Sequence, residues 1–392
     1  MKTKAIFLLC VATTFACNDD PTVFSAADGG TDTGVGGDVA GSDMGAGVDG
    51  GADMGLPSLA CSSATPSGTS VLGQIYTDID QSERSLWDGG SFGPTDEAVQ
   101  GLTVTLIGAN GSEQTETCED GTFGFGDLEE GSYLTVVDWE DGTLCRTRNC
   151  QTGLAEAVES GRVKIVTLGD SVPVVGDAPF FPARLTDMLS PFADVENVNI
   201  AVGGTTSVDW VPGTPNFDQR FGPHLESADV VIVSLGGNDF LQYANEAFAN
   251  PQEAIAGFPD FVREVMGRVL LIKDTVALQN PDADLVYLLY PDYSQSGTWS
   301  EQFGFAISII QGLIADALEQ ILNELGPEED ILMVDFYGYF RETGLNLDAH
   351  LYDLLHFNDA GQQVYAERLF EVLGGVSIAD EIGTNPRFAL EP

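Results

Sequence analysis

Basic side chains are scarce in this chain: 15 Lys+Arg stand against 61 Asp+Glu, a formal charge of −46 over 392 residues. A field of that sign repels phosphate backbones and anionic bilayer surfaces, which excludes nucleic acid and electrostatic docking to a membrane. The acidity serves solubility, and salt screens its self-repulsion. Histidine is scarcer still, with His224, His350 and His356 the only three. They form no cluster with metal-ligand spacing, and the 46 glycines include neither a phosphate-cradling loop followed by lysine nor a dinucleotide fingerprint. No metal and no cofactor is expected. Long hydrophobic runs are missing too. The apolar stretch 5–16 after Met1-Lys2-Thr3-Lys4 is too short to span a bilayer and has the basic start and short apolar core of an export signal.

Two fates compete for the end of that signal: cleavage at a small-residue site, or cleavage just before Cys17 with lipid on its thiol. Thr14-Phe15-Ala16-Cys17 loosely resembles a bacterial lipoprotein signal, with a small Ala16 but unusual residues at 14 and 15. The resemblance implies lipid attachment at Cys17, an exported protein of the cell envelope or surface, and membrane contact only through that lipid. If Cys10 leaves with the signal and Cys17 is lipidated, Cys61, Cys118, Cys145 and Cys150 remain, an even set suited to two disulfides in an oxidising compartment. Cys145 with Cys150 and Cys61 with Cys118 are the expected bridges among three pairings.

Five stretches differ in texture. Residues 1–17 are the signal with its candidate lipidation site, and 18–57 form a tether. Between 25 and 55 this tether is almost wholly Gly, Asp, Ala, Thr, Ser and Val, without an aromatic residue, Lys or Arg. It has too little apolar surface to offset backbone entropy, and its relaxed span is roughly 30 Å. Residues 58–155 carry short alternating runs, at 71–76, 102–107, 121–125 and 133–137, that read as antiparallel strands. Val99-Gln100-Gly101-Leu102-Thr103-Val104-Thr105-Leu106 and Asp120-Gly121-Thr122-Phe123-Gly124-Phe125 are similar to the small β-sandwich modules of carboxypeptidase-regulatory or Cna B type. The oxygen-bearing Asp78, Asp80, Ser82, Asp96 and Glu97 suit Ca²⁺, but without the full loop signature a solvated acidic loop is the preferred reading. Residues 160–376 form the last folded unit, and 377–392 a tail.

In that unit compact apolar runs at 163–168, 195–200, 230–235, 285–290 and 331–336 read as parallel strands covered on both faces. Helical candidates lie at 182–189, 253–278, 303–325 and 360–373. This alternation predicts a three-layer α/β fold, with active residues beyond the carboxyl ends of the strands.

Three short stretches at such strand ends hold the groups that serine ester hydrolysis needs: Gly169-Asp170-Ser171, Gly236-Gly237-Asn238-Asp239 and Asp353-Leu354-Leu355-His356. With Val198-Asn199-Ile200-Ala201-Val202-Gly203-Gly204, their order and spacing resemble the blocks of the GDSL or SGNH hydrolases over about 162–373. The resemblance implies a flavodoxin-like parallel sheet and an acyl-serine mechanism. Ser171 is then the nucleophile, His356 the base that takes its proton, and Asp353 the carboxylate that orients the imidazole. The backbone N–H groups of Ser171 and Gly204 and the side-chain amide of Asn238 form the oxyanion hole. His224 and His350 read as surface and structural or rim side chains, and Asp348 as a turn cap.

Val172-Pro173-Val174-Val175-Gly176 is apolar enough to line an acyl pocket. Trp210, Pro212, Pro215, Phe217 and Phe221, and Tyr290, Tyr293 and Trp299 further on, either hold a sugar ring or acyl chain or pack on the domain. The expected substrate is a carboxylic ester, whether an acylated carbohydrate, a lipid or a small ester. The other class that fits is a non-catalytic adhesion or carbohydrate-binding lipoprotein.

Overall fold

The strand Arg162–Gly169 explains the centre of the molecule: from Ile165 to its end every residue is buried. Only a strand with apolar layers on both faces can hold such a run. The computed structural model describes residues 71–77, 97–126, 128–129, 131–138, 152–247, 251–303, 332–334, 336–378 and 387–390. The signal and tether, Cys17, Cys61, Cys145 and Cys150 with the expected disulfides, the acidic positions 78, 80, 82 and 96, and the expected helix after residue 303 lie outside them.

In chain order the N-terminal strands are Val71–Thr77 (β1), Glu97–Ala98 (β2), Thr103–Gly108 (β3), Gly111–Glu116 (β4), Thr122–Phe125 (β5) and Gly131–Asp138 (β6). Thr152–Ser160 (α1), Arg162–Gly169 (β7), Phe181–Leu189 (α2), Asp194–Asn199 (β8), Val230–Ser234 (β9), Gly237–Ala247 (α3) and Pro251–Gln279 (α4) follow. Asp284–Leu288 (β10), Gly297–Phe303 (α5), Leu332–Val334 (β11), Phe336–Thr343 (α6) and Asp359–Val372 (α7) complete the larger unit. Gly375–Ile378 (β12) and Arg387–Leu390 (β13) come last.

Strands β11-β10-β9-β7-β8 form, in that order, a parallel five-stranded sheet. Alternate residues of one strand enter opposite layers. On one side Ile165, Ile232, Val286 and Val334 meet Leu154 and Val158 of α1, Phe181 and Leu185 of α2, Phe340 of α6 and Leu369 of α7. On the other, Val166, Leu168, Val231 and Val233 meet Val262, Met266, Val269 and Ile272 of α4 with Phe217 and Phe221. Each such aliphatic side chain contributes about 1.5–3 kcal/mol on burial. The chain leaves β7 for β8 on one side and returns to β9 on the other, so the loops after β7 and β9 diverge and open a crevice at the carboxyl ends.

Two smaller sheets, β12-β6-β3-β4 and β13-β1-β2, the latter with β5 paired to β1, are built mainly from strands that precede this unit in sequence. Val71, Val104, Leu106, Phe123, Phe125 and Val376 share one apolar cluster. Both sheets take a strand from the C-terminal end of the chain: Val376 pairs with Tyr133, and Phe388 with Ile75. The stretch 377–392, expected as a tail, therefore includes strand residues. Isolated as a tail, this segment would leave two sheet edges with unpaired backbone groups, which strand pairing satisfies. Leu134 of β6 joins the main core beside α1 and α7, so the small sheets pack on the larger unit.

Candidate active site

The turn after β7 begins at Gly169, where φ is +148° and a Cβ would overlap the Ser234 carbonyl oxygen, so only glycine fits. The chain then bends through Asp170 to Ser171. Asp170 is buried, and its Oδ1 accepts the Val172 N–H at 3.1 Å while its Oδ2 accepts the Tyr290 hydroxyl. Burial pushes this carboxyl up to about 6, against the donations from Tyr290 and Val172 and the nearby His356. The Ser171 carbonyl accepts the N–H groups of Val174 and Val175, which closes the turn.

His356 enters from the loop before α7, 185 residues away, and its Nε2 lies 2.9 Å from Ser171 Oγ. Its Nδ1 lies 2.8 Å from Asp353 Oδ2. Asp353 Oδ1 accepts the backbone N–H groups of Leu355 and His356, each at 2.8 Å. Burial works to raise the Asp353 carboxyl, but the His356 ring and these two N–H groups outweigh it and hold the group below its ordinary value. Beyond the loop, Asn358 caps α7 by accepting the Gly361 N–H at 3.1 Å, and the His350 carbonyl accepts the Asn358 N–H at 3.0 Å.

The loop after β8 closes over the same serine. A Cβ on Gly203 would lie 3.7 Å from that of Ser171, and Gly204, at φ +84°, follows with open space beside it. Asn238 stands in the first turn of α3, where the helix dipole favours negative charge, and its Nδ2 donates to the Thr205 carbonyl at 2.9 Å. One amide hydrogen of Asn238 remains for a second acceptor. Beneath it Ser207 donates to buried Asp239 through its N–H at 2.8 Å and its hydroxyl at 2.6 Å, and Arg268 of α4 reaches the Ser207 hydroxyl at 3.0 Å. This network clamps the Gly204 loop to the Asn238 helix; no single motif signals it, because its three members lie on separate elements.

Ser171, His356, Asp353 and Asn238 thus converge with the Gly204 loop. His350 does not join them: its Nδ1 contacts the Asn346 carbonyl and its ring lies edge-on to Phe340 at 5.3 Å. His224 sits in a short helical turn, Gly222–Leu225, that leads to the amino end of β9. Asp348 accepts from Ser296 and from the Gly297 N–H, and so caps the start of α5. Val172 is packed in the main core and Pro173 is buried, which leaves Val174, Val175 and Gly176 of the apolar turn half-exposed. Trp210, Phe217 and Phe221 are core side chains, and Trp210 Nε1 donates to Thr205 Oγ1 at 2.9 Å. Tyr293 and Trp299 stack on each other and donate to the Leu355 and Leu354 carbonyls, so they pack on the histidine loop. A cavity lined by Glu156, Glu226, Asp229 and Asp282 lies at the opposite, amino ends of the strands, away from this chemistry. Among the described residues no group of three or more His, Cys, Asp or Glu side chains is placed to hold a metal ion, and no helix is long and apolar enough to cross a membrane.

Comparison with solved structures finds phospholipase A1 from Streptomyces albidoflavus, 23% identical over 53% of this chain and 98% of that one, with a TM-score of 0.40. An extracellular lipase from Streptomyces rimosus is 18% identical over 54% of this chain and 99% of that one, at 0.39. An acetylxylan esterase from Geobacillus stearothermophilus is 18% identical over 54% and 94%, at 0.35. No curated protein matches. Residues 167–364, just over half of the chain, match the model of the GDSL-like lipase/acylhydrolase family. That span runs from the end of β7 to the first turns of α7 and takes in Ser171, Gly204, Asn238, Asp353 and His356; the chain belongs to this family and is an ester-hydrolysing enzyme.

Proposed function

We propose that the chain is an exported serine esterase in which Ser171, His356 and Asp353 act as a triad on carboxylic esters. The observation that carries this reading is the unbroken contact from Ser171 Oγ to His356 Nε2 at 2.9 Å and from His356 Nδ1 to Asp353 at 2.8 Å. With the Nδ1 proton donated to Asp353, Nε2 is left to accept the serine proton. Ser171 Oγ attacks the ester carbonyl as His356 takes that proton. The resulting oxyanion is held by the Ser171 and Gly204 N–H groups and the second amide hydrogen of Asn238. Collapse expels the alcohol, which takes the proton back from His356. Water, deprotonated by the same imidazole, then cleaves the acyl-serine and releases the acid.

Val208 and Tyr352, which adjoin Ser207 and Asp353 in sequence, are exposed apolar side chains, at 50% and 58%. They support an acyl chain on an acylated carbohydrate, a lipid or a small ester. Export rests on the N-terminal signal pattern, with lipid on Cys17 holding the enzyme at the cell envelope or surface.

Hydrolysis of p-nitrophenyl acetate, butyrate and longer esters by the full chain, beside Ser171→Ala, tests the reading. Serine-dependent turnover is expected, and its dependence on acyl length assigns the acyl group. A chain that leaves every ester intact and fails to react with a fluorophosphonate would instead be a binder, since binding needs no activated hydroxyl.

A further inference from the structure

Residues 290–299, which run from beyond β10 into the first turn of α5, touch the serine turn, the start of α3 and the histidine loop while supplying none of the reacting groups. Tyr290 donates to Asp170 Oδ2, and the other oxygen of that carboxylate accepts the Val172 N–H at 3.1 Å, so the tyrosine is coupled to both sides of Ser171. The same ring fills the space beside Gly237, the residue before Asn238: a Cβ there would fall 2.8 Å from Tyr290 Cε1. Three residues further on, the Tyr293 hydroxyl donates to the Leu355 carbonyl at 2.8 Å, next to His356. Trp299 Nε1 donates to the Leu354 carbonyl, and the Tyr293 and Trp299 rings stack with centroids 5.1 Å apart. Ser296 and the Gly297 N–H hold Asp348 at the start of the stretch that leads to Asp353.

Packing alone would be served by phenylalanine at 290 and 293. In each case the polar atom instead reaches a group that belongs to a loop bearing a reacting residue. We propose that segment 290–299 is the positioning element of this site, with Tyr290 holding the Ser171 turn through Asp170 and Tyr293 holding the His356 loop through the Leu355 carbonyl. Its consequences for rate rest on the esterase reading above; its contacts do not.

The Tyr290 arm has a pH signature. Asp170 faces Tyr290 and Tyr287 from β10 and its continuation, Tyr293, Asp239 from α3, His356 from the last loop and Tyr365 from α7. Tyr290 stabilises the ionised carboxylate by donating to it. Loss of that donor moves the Asp170 ionisation to higher pH, because a hydrogen bond to the charged form favours that form. The neutral acid holds the Val172 N–H less firmly, so the serine turn loosens at a higher pH than before.

The test measures kcat, KM and the acid limb of kcat/KM for the full chain, Tyr290→Phe and Tyr293→Phe on a p-nitrophenyl ester, with thermal unfolding alongside. Each variant is expected to lose about tenfold in kcat with KM little changed, the rate equivalent of one orienting hydrogen bond. Only Tyr290→Phe moves the acid limb upward. A purely structural role would lower the melting temperature and leave the limb in place. Rates within about twofold of the parent in both variants, or an unmoved limb in Tyr290→Phe, overturn the proposal. The Asp170 carboxyl is also followed by ¹³C NMR, assigned with Asp170→Asn. If the parent chain proves inert toward esters and fluorophosphonate, the esterase reading falls and this titration decides alone. An upward move in Tyr290→Phe upholds the coupling, and an unmoved titration overturns it.

Discussion

Gly176 and Phe357 are joined backbone to backbone by a parallel bridge, in which the Phe357 carbonyl accepts the Asp177 N–H at 3.2 Å. Gly176 ends the turn that starts at Ser171, and Phe357 directly follows His356. Two segments from opposite ends of the catalytic unit are therefore locked together five residues beyond the serine and one beyond the imidazole, which is why the contact between the two side chains is already formed at 2.9 Å. Gly176 has φ +119°, and a Cβ there would overlap the Phe357 oxygen. Gly176→Ala is expected to destabilise the fold by roughly 2–3 kcal/mol, from left-handed strain and loss of the bridge. Because the bridge sets the Ser171–His356 distance, kcat falls in the molecules that remain folded. Urea unfolding and kcat on the same samples check this; unchanged values for both would show that the turn and the loop are held independently.

Asn238→Ala removes an amide whose nitrogen already donates to the Thr205 carbonyl at 2.9 Å. The expected loss in kcat is about 10²–10³-fold, the usual result of deleting one oxyanion donor, with KM little affected. Asn238→Asp separates donor loss from shape loss, since it keeps the volume and replaces the N–H group with an acceptor. A rate near the parent's in either variant would remove Asn238 from the oxyanion hole.

Asp353→Asn tests the orienting role. The carboxylate accepts three N–H groups, from the His356 ring and from the Leu355 and His356 backbone. An amide has one acceptor oxygen and presents an NH₂ to whatever remains, which favours the wrong imidazole tautomer. A fall in kcat of about 10²–10⁴-fold is expected, with the loop still folded. The Asp353 pKa is lowered, so its contribution to stability is present above the ordinary carboxylate range and is lost only as pH falls through the lowered value. The acid limb of activity therefore reports another group. Retention of full activity in Asp353→Asn would assign the orienting role elsewhere.

Much of this was legible from local pattern. The apolar runs at 163–168 and 230–235 read as strands because they are short, β-branched and bounded by turns, and they are β7 and β9. The three-residue spacing of Asp353 and His356 lets one carboxylate reach both a ring nitrogen and two backbone N–H groups, and such local geometry survives in sequence. Longer-range relations do not. Gly375-Val376-Ser377-Ile378 is too short to signal a strand, and its pairing partner lies more than two hundred residues upstream in β6. Helix α3 begins at Gly237-Asn238, where glycine and a polar residue mask the start of the helix. Tyr293, Trp299 and Trp210 show the same ambiguity: aromatic residues in a loop suit a ligand as well as a core, and only their polar atoms, each donating inside the protein, decide between the two.

Asp284 should make stability depend on pH in a direction opposite to that of Asp353. It opens β10 as a buried carboxyl, its Oδ2 accepts the Leu154 N–H at 2.9 Å, and it lies near the acidic Asp229 and Glu156. Burial, in excess of what the Leu154 and Gly153 N–H groups offset, pushes it up to about 7. The folded state then binds a proton that the unfolded chain has already released between the ordinary carboxylate pKa and 7, so stability falls as pH rises through that window. Its contribution is complete below the ordinary value and gone above the raised one. The slope approaches about 1.4 kcal/mol per pH unit at its steepest. Asp284→Asn keeps an acceptor for the α1 backbone and cannot ionise. Urea unfolding of parent and variant at mildly acidic and mildly alkaline pH is expected to show the parent losing ground to Asp284→Asn by a few kcal/mol as pH rises. Taking the difference cancels the many other carboxylates of this acidic chain. An equal gap at both pH values would mean that Asp284 is ionised throughout and that the N–H groups of α1 suffice to hold its charge.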